Sequence, residues 1–173
     1  MNDGTEFDPS FVQYNPGDNG MTFSLQELSD RQEIQDLLAA YSYAIDFRDW
    51  SALDDVFTDD AIIDYTEAVN VRGTLAEIKV FLARSLAGFR STQHAVSTSK
   101  IVFDGDTASG RTICFNPVVI DKGNGATHVL FVGCWYRDTF VRTPRGWRIR
   151  TRYEEQSYLH NLPPDFVPGE SPA

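Results

Sequence analysis

The sequence predicts an α+β domain in which helices cover one face of a curled antiparallel sheet. Two observations carry that expectation. Before residue 90 apolar side chains recur with the helical period, whereas from Thr92 onward long runs of β-branched and aromatic residues are separated by turn signals. The order matters as well, because helices first and strands afterwards differ from the alternation that builds a parallel sheet.

Met1 to Thr22 is polar and acidic with little periodicity, and reads as a flexible segment ahead of a domain spanning residues 23–158. Ile34, Leu37, Leu38, Tyr41 and Ile45 then follow the i, i+3, i+4 rhythm of a helix with one buried face. Ser29 and Gln32 have the spacing of a capping box and place its start. Asp46 falls in its last turn, where the macrodipole disfavours an acid and a purely structural sequence would carry Lys or Arg. Asp49 caps a second short helix with Leu53, Val56 and Phe57. Thr58, Asp59 and Asp60 make a turn into a short strand, Ala61 to Tyr65, and Thr74 with Glu77 forms a capping box ahead of a third helix through Leu86.

Four strands follow. Asp104-Gly105 separates Gln93–Phe103 from Thr107–Ile120, Asn124-Gly125 separates that strand from Thr127–Arg142, and Pro144-Arg145-Gly146 precedes Trp147–Tyr153. A curled sheet over helices leaves a cone whose mouth suits a small apolar ligand. Residues 159–173 are rich in proline and can extend neither a helix nor a central strand, so they read as an arm over a neighbouring molecule or as disorder.

A chain of 173 residues with a net charge of -10 lacks the basic surface that nucleic acid or an anionic membrane requires. Residues 1–22 lack the basic start and apolar run of a secretory signal and no apolar run approaches spanning length, so a cytoplasmic protein is expected. Cys114 and Cys134 have no metal or redox spacing and read as small core residues. No metal is implied, because His128 and His160 stand far from His94 and from each other. No cofactor motif is present, and Gly123-Asn124-Gly125 is a hairpin turn rather than a phosphate loop.

Several strings together resemble the SnoaL-like branch of the NTF2-like superfamily, and within it the scytalone dehydratase and bile acid dehydratase group. They are YSYAIDFRDWSALDDVFTDDAIIDY, STQHAVS, FDGDTASGR and CWYRDTFVRTPRGWRIRTRY, and the resemblance covers about Ser24 to Tyr158. It implies an NTF2-like cone in which Asp46 and His94 correspond to the acid and histidine that face each other inside the dehydratase cavity. Tyr41 resembles the tyrosine ahead of that acid in the bile acid enzyme, and Tyr65 the strand tyrosine of the scytalone enzyme. The chain departs from the scytalone pattern in three places: Ile45 stands directly before the acid, no histidine occurs near Arg111 or Thr112, and Leu130 to Val132 is apolar where a polar pair is usual.

The residues by themselves are compatible with the same chemistry, and equally with His94 as a hydrogen-bonded structural side chain. An imidazole with a pKa near neutrality can remove a proton α to a carbonyl or return one to a leaving hydroxyl, and a buried carboxylate behind it fixes its tautomer. His94 with Asp46 and Tyr41 form the candidate catalytic set. Tyr41 and Tyr65 either donate to a developing oxyanion or serve as core aromatics. Tyr65, Thr112 and Asn116 are the candidate substrate-binding residues. Thr112, Cys114, Asn116 and Val118 share one strand face, on which Asn116 either binds substrate or bonds to backbone. Arg148, Arg150, Arg152 and Glu154 alternate with Trp147, Ile149, Thr151 and Tyr153, so the charged row reads as solvent-facing or as a subunit interface, with one arginine able to reach the cavity. The expected activity is a cofactor-independent dehydratase acting on a small hydrophobic hydroxy-ketone, polycyclic or steroid-like. The alternatives are a ketosteroid-type isomerase or cyclase with Asp46 as base, a non-catalytic small-molecule binder, and the small subunit of a ring-hydroxylating oxygenase. A homo-oligomer, dimer or trimer, is expected from exposed sheet faces.

Overall fold

A helix of 22 residues, α1 (Leu25–Asp46), lies across the concave face of a seven-stranded sheet in a computed structural model that describes residues 23–123, 125–164, 166, 167 and 169. The expected flexible segment, Met1 to Thr22, lies outside the described residues, as does Asn124 of the expected hairpin turn.

The helix begins earlier than the Ser29 box indicates. Ser24 is the N-cap, its hydroxyl accepting from the Glu27 N–H. Tertiary contacts hold the added turn: buried Asp30 accepts two hydrogen bonds from the Arg142 guanidinium, at 2.8 and 2.7 Å, and one from the Trp147 indole at 3.1 Å. These fasten the first half of α1 to the sheet, and Ile34, Leu37, Leu38, Tyr41 and Ile45 bury the expected face.

The short second helix is a single 3-10 turn, Ala52–Asp55, with Asp49 accepting from the Ala52 N–H. Thr58 to Asp60 belong to strand β1 (Phe57–Tyr65) rather than to a turn. A register irregularity between Phe57 and Ile62 absorbs this polar stretch. The chain continues through α2 (Thr66–Val69) and β2 (Val71–Thr74), two elements too short to show a period, to α3 (Leu75–Ser85). The Thr74–Glu77 capping box is present in full at the start of α3.

The remaining strands are β3 (Phe89–Thr92), β4 (Ala95–Asp104), β5 (Thr107–Asp121), β6 (Thr127–Thr143) and β7 (Gly146–His160). The expected meander is present as β4-β5-β6-β7. The sheet order is β2-β1-β7-β6-β5-β3, with β4 also on β5, and β1 runs parallel to β7, so the sheet is mixed. Its curvature over α1 makes the NTF2-like cone.

Two local features of this sheet position the site. The first is the break between β3 and β4, which pair with successive stretches of β5. Gln93 N–H donates to the Pro117 carbonyl, so that edge of β5 is the one from which the proline has no N–H to offer. The ladder lapses there, and His94 turns off the strand.

The second feature is a bulge in β7. Thr151 pairs with Thr139 and Ile149 with Phe140, leaving Arg150 as an extra residue. The alternation shifts by one, so Trp147, Ile149 and Arg152 are all buried, while Arg150 and Thr151 both face outward. The reading of Arg148, Arg150, Arg152 and Glu154 as one solvent-facing row is therefore corrected.

Candidate active site

Asp46 ends α1 at the negative pole of the helix, and three donors compensate its placement there. After Phe47 the chain turns through Arg48, in the left-handed region at φ 57°, and the Arg48 guanidinium bonds to the Phe89 carbonyl. That tie brings the end of the helix against β3. Asp46 Oδ1 accepts from the Thr92 hydroxyl at 2.7 Å and from His94 Nδ1 at 2.6 Å, and Oδ2 accepts from the His94 backbone N–H at 2.8 Å. Burial pushes the carboxyl pKa up, but the bonds and charge of His94, with Thr92 adding to them, outweigh it and hold the group below the ordinary carboxylate range.

The second ring nitrogen is fixed from the other side. Asn116 Oδ1 accepts from the Gln93 N–H at 3.2 Å, which orients the amide so that Nδ2 faces His94 Nε2, also at 3.2 Å. An amide donor at Nε2 requires a lone pair there, so the proton sits on Nδ1 and is donated to Asp46. The imidazole side chain is 9% exposed, in a chain of contacts running Asp46, His94, Asn116.

Tyr41 and Tyr65 meet at the floor, their hydroxyls 2.8 Å apart. Burial pushes Tyr41 up to about 12 against the opposing charge of Arg152, and it pushes Tyr65 well above its ordinary value, so both remain donors at neutral pH. On an ideal helix Asp46 lies about 140° around from Tyr41. Both nonetheless reach one site because His94 bridges the gap, its ring edge-on to Tyr41 with centroids 6.3 Å apart. Arg152 stacks between the rings of Tyr41 and Tyr136, at 3.9 and 4.1 Å, and makes a bidentate pair with buried Asp138, both bonds 2.8 Å. It is a structural cation committed to Asp138 and does not line the cavity.

The cavity above this floor has a volume of about 140 Å³. Its walls are largely apolar, with Phe81, Leu86, Phe89, Val118, Leu130 and Phe166 among them. Tyr41, Tyr65, His94, Asn116 and Glu154 also line it, and among the described residues no Lys or Arg does. Phe166 of the tail packs on Phe89 with centroids 6.4 Å apart, so this part of the tail lies over its own cavity instead of a neighbour.

Of the expected residues, His94, Tyr41, Tyr65 and Asn116 line this space, and Asp46 stands directly behind His94. Thr112 is not brought to the wall: it is 1% exposed, and its hydroxyl donates to Ser99 at 2.9 Å. Glu154 was hidden from the sequence reading by the Arg150 bulge, for which strand alternation gives no signal. Burial pushes its pKa up to about 7, with Cys114 adding to that and His94 and Arg152 opposing it. Cys114 and Cys134 are buried cross-strand partners behind the site. Among the described residues no group of three or more His, Cys, Asp or Glu side chains is arranged to hold a metal ion, and no helix is long and apolar enough to cross a membrane.

Comparison with known proteins agrees with this architecture. The protein Rv2910c of Mycobacterium tuberculosis is 47% identical over 135 residues, covering 78% of this chain and 90% of its own. A scytalone dehydratase-like protein of Novosphingobium aromaticivorans superposes with a TM-score of 0.68 at 21% identity, covering 82% of this chain and 93% of that one. The type 3 hexachlorocyclohexane dehydrochlorinase LinA of Novosphingobium barchaimii gives 0.68 at 19% identity, over 83% and 98%. These two likenesses show a shared fold. The profile described as a SnoaL-like domain matches residues 26–153, and the chain therefore belongs to the SnoaL-like family.

Proposed function

We propose that this protein is a cofactor-independent lyase that eliminates water from a small hydrophobic hydroxy-ketone. The observation that carries the reading is the imidazole of His94 on the cavity wall, with Nδ1 held 2.6 Å from Asp46 and Nε2 on the far side, accepting from the Asn116 amide at 3.2 Å. In this reading the Asn116 amide yields Nε2 to the substrate, Nε2 removes the proton α to the carbonyl, Asp46 stabilises the resulting imidazolium, and the Tyr41–Tyr65 pair donates to the enolate oxygen. The dehydratase and dehydrochlorinase among the similar structures are both named for eliminations, which supports the reaction class.

Cavity size favours a single ring. An engineered cavity of about 150 Å³ holds benzene, so a space of about 140 Å³ suits a monocyclic substrate. A polycyclic or steroid-like substrate requires Phe166 to leave Phe89. Direct catalysis by Asp46, as in the isomerase alternative, is less well supported because both carboxylate oxygens are engaged and the residue stands behind His94.

The test uses 3-hydroxycyclohexanone and larger fused-ring β-hydroxy ketones with wild type, His94→Ala and Asp46→Asn. Loss of 18 mass units from the product marks dehydration, while an unchanged mass marks isomerisation. Wild-type rates in the His94→Ala variant sink the mechanism, and tight binding with no turnover of any compound indicates a binding protein.

A further inference from the structure

The bulge that hid Glu154 also gives it an unusual place. It reaches the cavity wall from β7, where His94 also lies, and among the described residues it makes no ion pair. Arg152, two residues away on the same strand, gives its bidentate pair to Asp138 and none to Glu154. Among the described residues no Lys or Arg lines the cavity to neutralise it. Asn116, which holds His94, lies two strands away on β5. Through Tyr136 of β6 the register sets Glu154 level with Thr112, four residues along β5 from Asn116, so at about 4.8 Å per strand and about 3.4 Å per residue roughly 16 Å separates the two backbones, and both side chains reach the cavity between them.

We propose that Glu154 is the second proton-transfer group of this site, the general acid that protonates the departing hydroxyl while His94 removes the α-proton; this rests on the elimination reading above. The step balances as follows. His94 Nε2 takes the α-hydrogen as a proton, the C–H electron pair becomes the C=C bond, the β C–O bond breaks, and the leaving oxygen takes the Glu154 proton to depart as water. The enzyme is left with imidazolium and carboxylate, and transfer of one proton from His94 to Glu154 through solvent or the tyrosine hydroxyls restores it. Two titratable groups held in different environments are the usual basis for dividing acid and base roles.

The groups facing Glu154 are Tyr41 from α1, Tyr65 from β1, His94 from the β3–β4 junction, Cys114 from β5, and Cys134 and Tyr136 from β6, with Arg152 on its own strand. The thiol of Cys134 bonds to the Glu154 carboxyl, and only His94 and Arg152 in this ring bring positive charge. With burial the largest influence, the carboxyl retains its proton up to about pH 7.

The experiment compares two leaving groups. 3-Hydroxycyclohexanone needs an acid at its hydroxyl, whereas chloride leaves 3-chlorocyclohexanone unprotonated. Glu154→Gln should slow the hydroxy compound by about 10²-fold or more and leave the chloro compound near the wild-type rate, while His94→Ala slows both. Equal slowing of both compounds by Glu154→Gln, or of neither, overturns the assignment. Unchanged rates in His94→Ala beside a leaving-group-selective Glu154→Gln would sink the base and keep the acid. Should wild type turn over neither compound, infrared difference spectra decide: a protonated-carboxyl band at pH 6 that is absent from Glu154→Gln supports the proposal, and its absence from wild type refutes it.

Discussion

Replacing Asp46 by Asn should disable the site by moving one proton while the fold stays intact. In the wild-type geometry Oδ1 accepts from both Thr92 and His94 Nδ1, and Oδ2 accepts from the His94 backbone N–H. Asparagine can keep its carbonyl on that N–H, which turns its amide donor toward Nδ1. The ring proton then moves to Nε2, where it meets the Asn116 amide and removes the lone pair that would act as the base. An equivalent change of tautomer in a serine protease triad lowers turnover about 10⁴-fold, so a loss of about 10³- to 10⁴-fold is expected here. At 1.36 kcal/mol per tenfold this is about 4–5.5 kcal/mol of transition-state stabilisation. Enone absorbance with 3-hydroxycyclohexanone reads the rate, and KM should change little because Asp46 stands behind His94. Nitrogen NMR of the His94 ring reads the tautomer without any substrate. A loss below about tenfold, or an unaltered tautomer with full loss of rate, would refute this reasoning.

Other consequences are independent of the substrate or nearly so. The folded-state pKa of Glu154, about 7, lies above its ordinary 4.5, so its favourable contribution is complete below 4.5 and is lost as pH rises through 7. Thermal unfolding should show Glu154→Gln gaining on wild type by about 2 kcal/mol from pH 4.5 to 8, an estimate discounted for partial exposure to the cavity. Asp30 has the opposite sign: the Arg142 hydrogen bonds hold its pKa far below the ordinary range, so its contribution is present above the unfolded value and lost on acidification below it. Asp30→Asn should flatten that acid limb and cost about 3 kcal/mol at neutral pH in denaturant unfolding. Arg152→Met leaves Asp138 buried without its partner and should cost about 3–5 kcal/mol by the same measurement, with Asp138→Leu in the double variant recovering part of it. Tyr65→Phe removes one hydroxyl of the tyrosine pair and should lower kcat by about 10²-fold with a stability loss near 1 kcal/mol.

Periodicity and turn chemistry are local properties, and they were legible. The buried face of α1, the Thr74–Glu77 box, the strand divisions at Asp104-Gly105 and Pro144-Arg145-Gly146, and the shared face of Thr112, Cys114 and Asn116 all stand where the sequence puts them. Asp46 and His94 were legible for different reasons: an acid at a helix C-terminus is locally unfavourable and marks a position held by tertiary contacts, whereas His94 was singled out by the family resemblance, the break between β3 and β4 beside it being a matter of strand pairing.

What local reading missed depends on pairing between distant strands. The start of α1 at Leu25 rests on Asp30 meeting Arg142 and Trp147, more than 100 residues away. The inward turn of Arg152 and Glu154 needs one unpaired residue in β7, and a bulge is defined only by its partner strand. Helix, strand and turn propensities, with the Asp46 and His94 side chains, were thus written in the sequence. Which faces turned inward along β7, and that Glu154 reaches the cavity, were decided by strand register, because a shift of one residue reverses the side of the sheet to which every later side chain points.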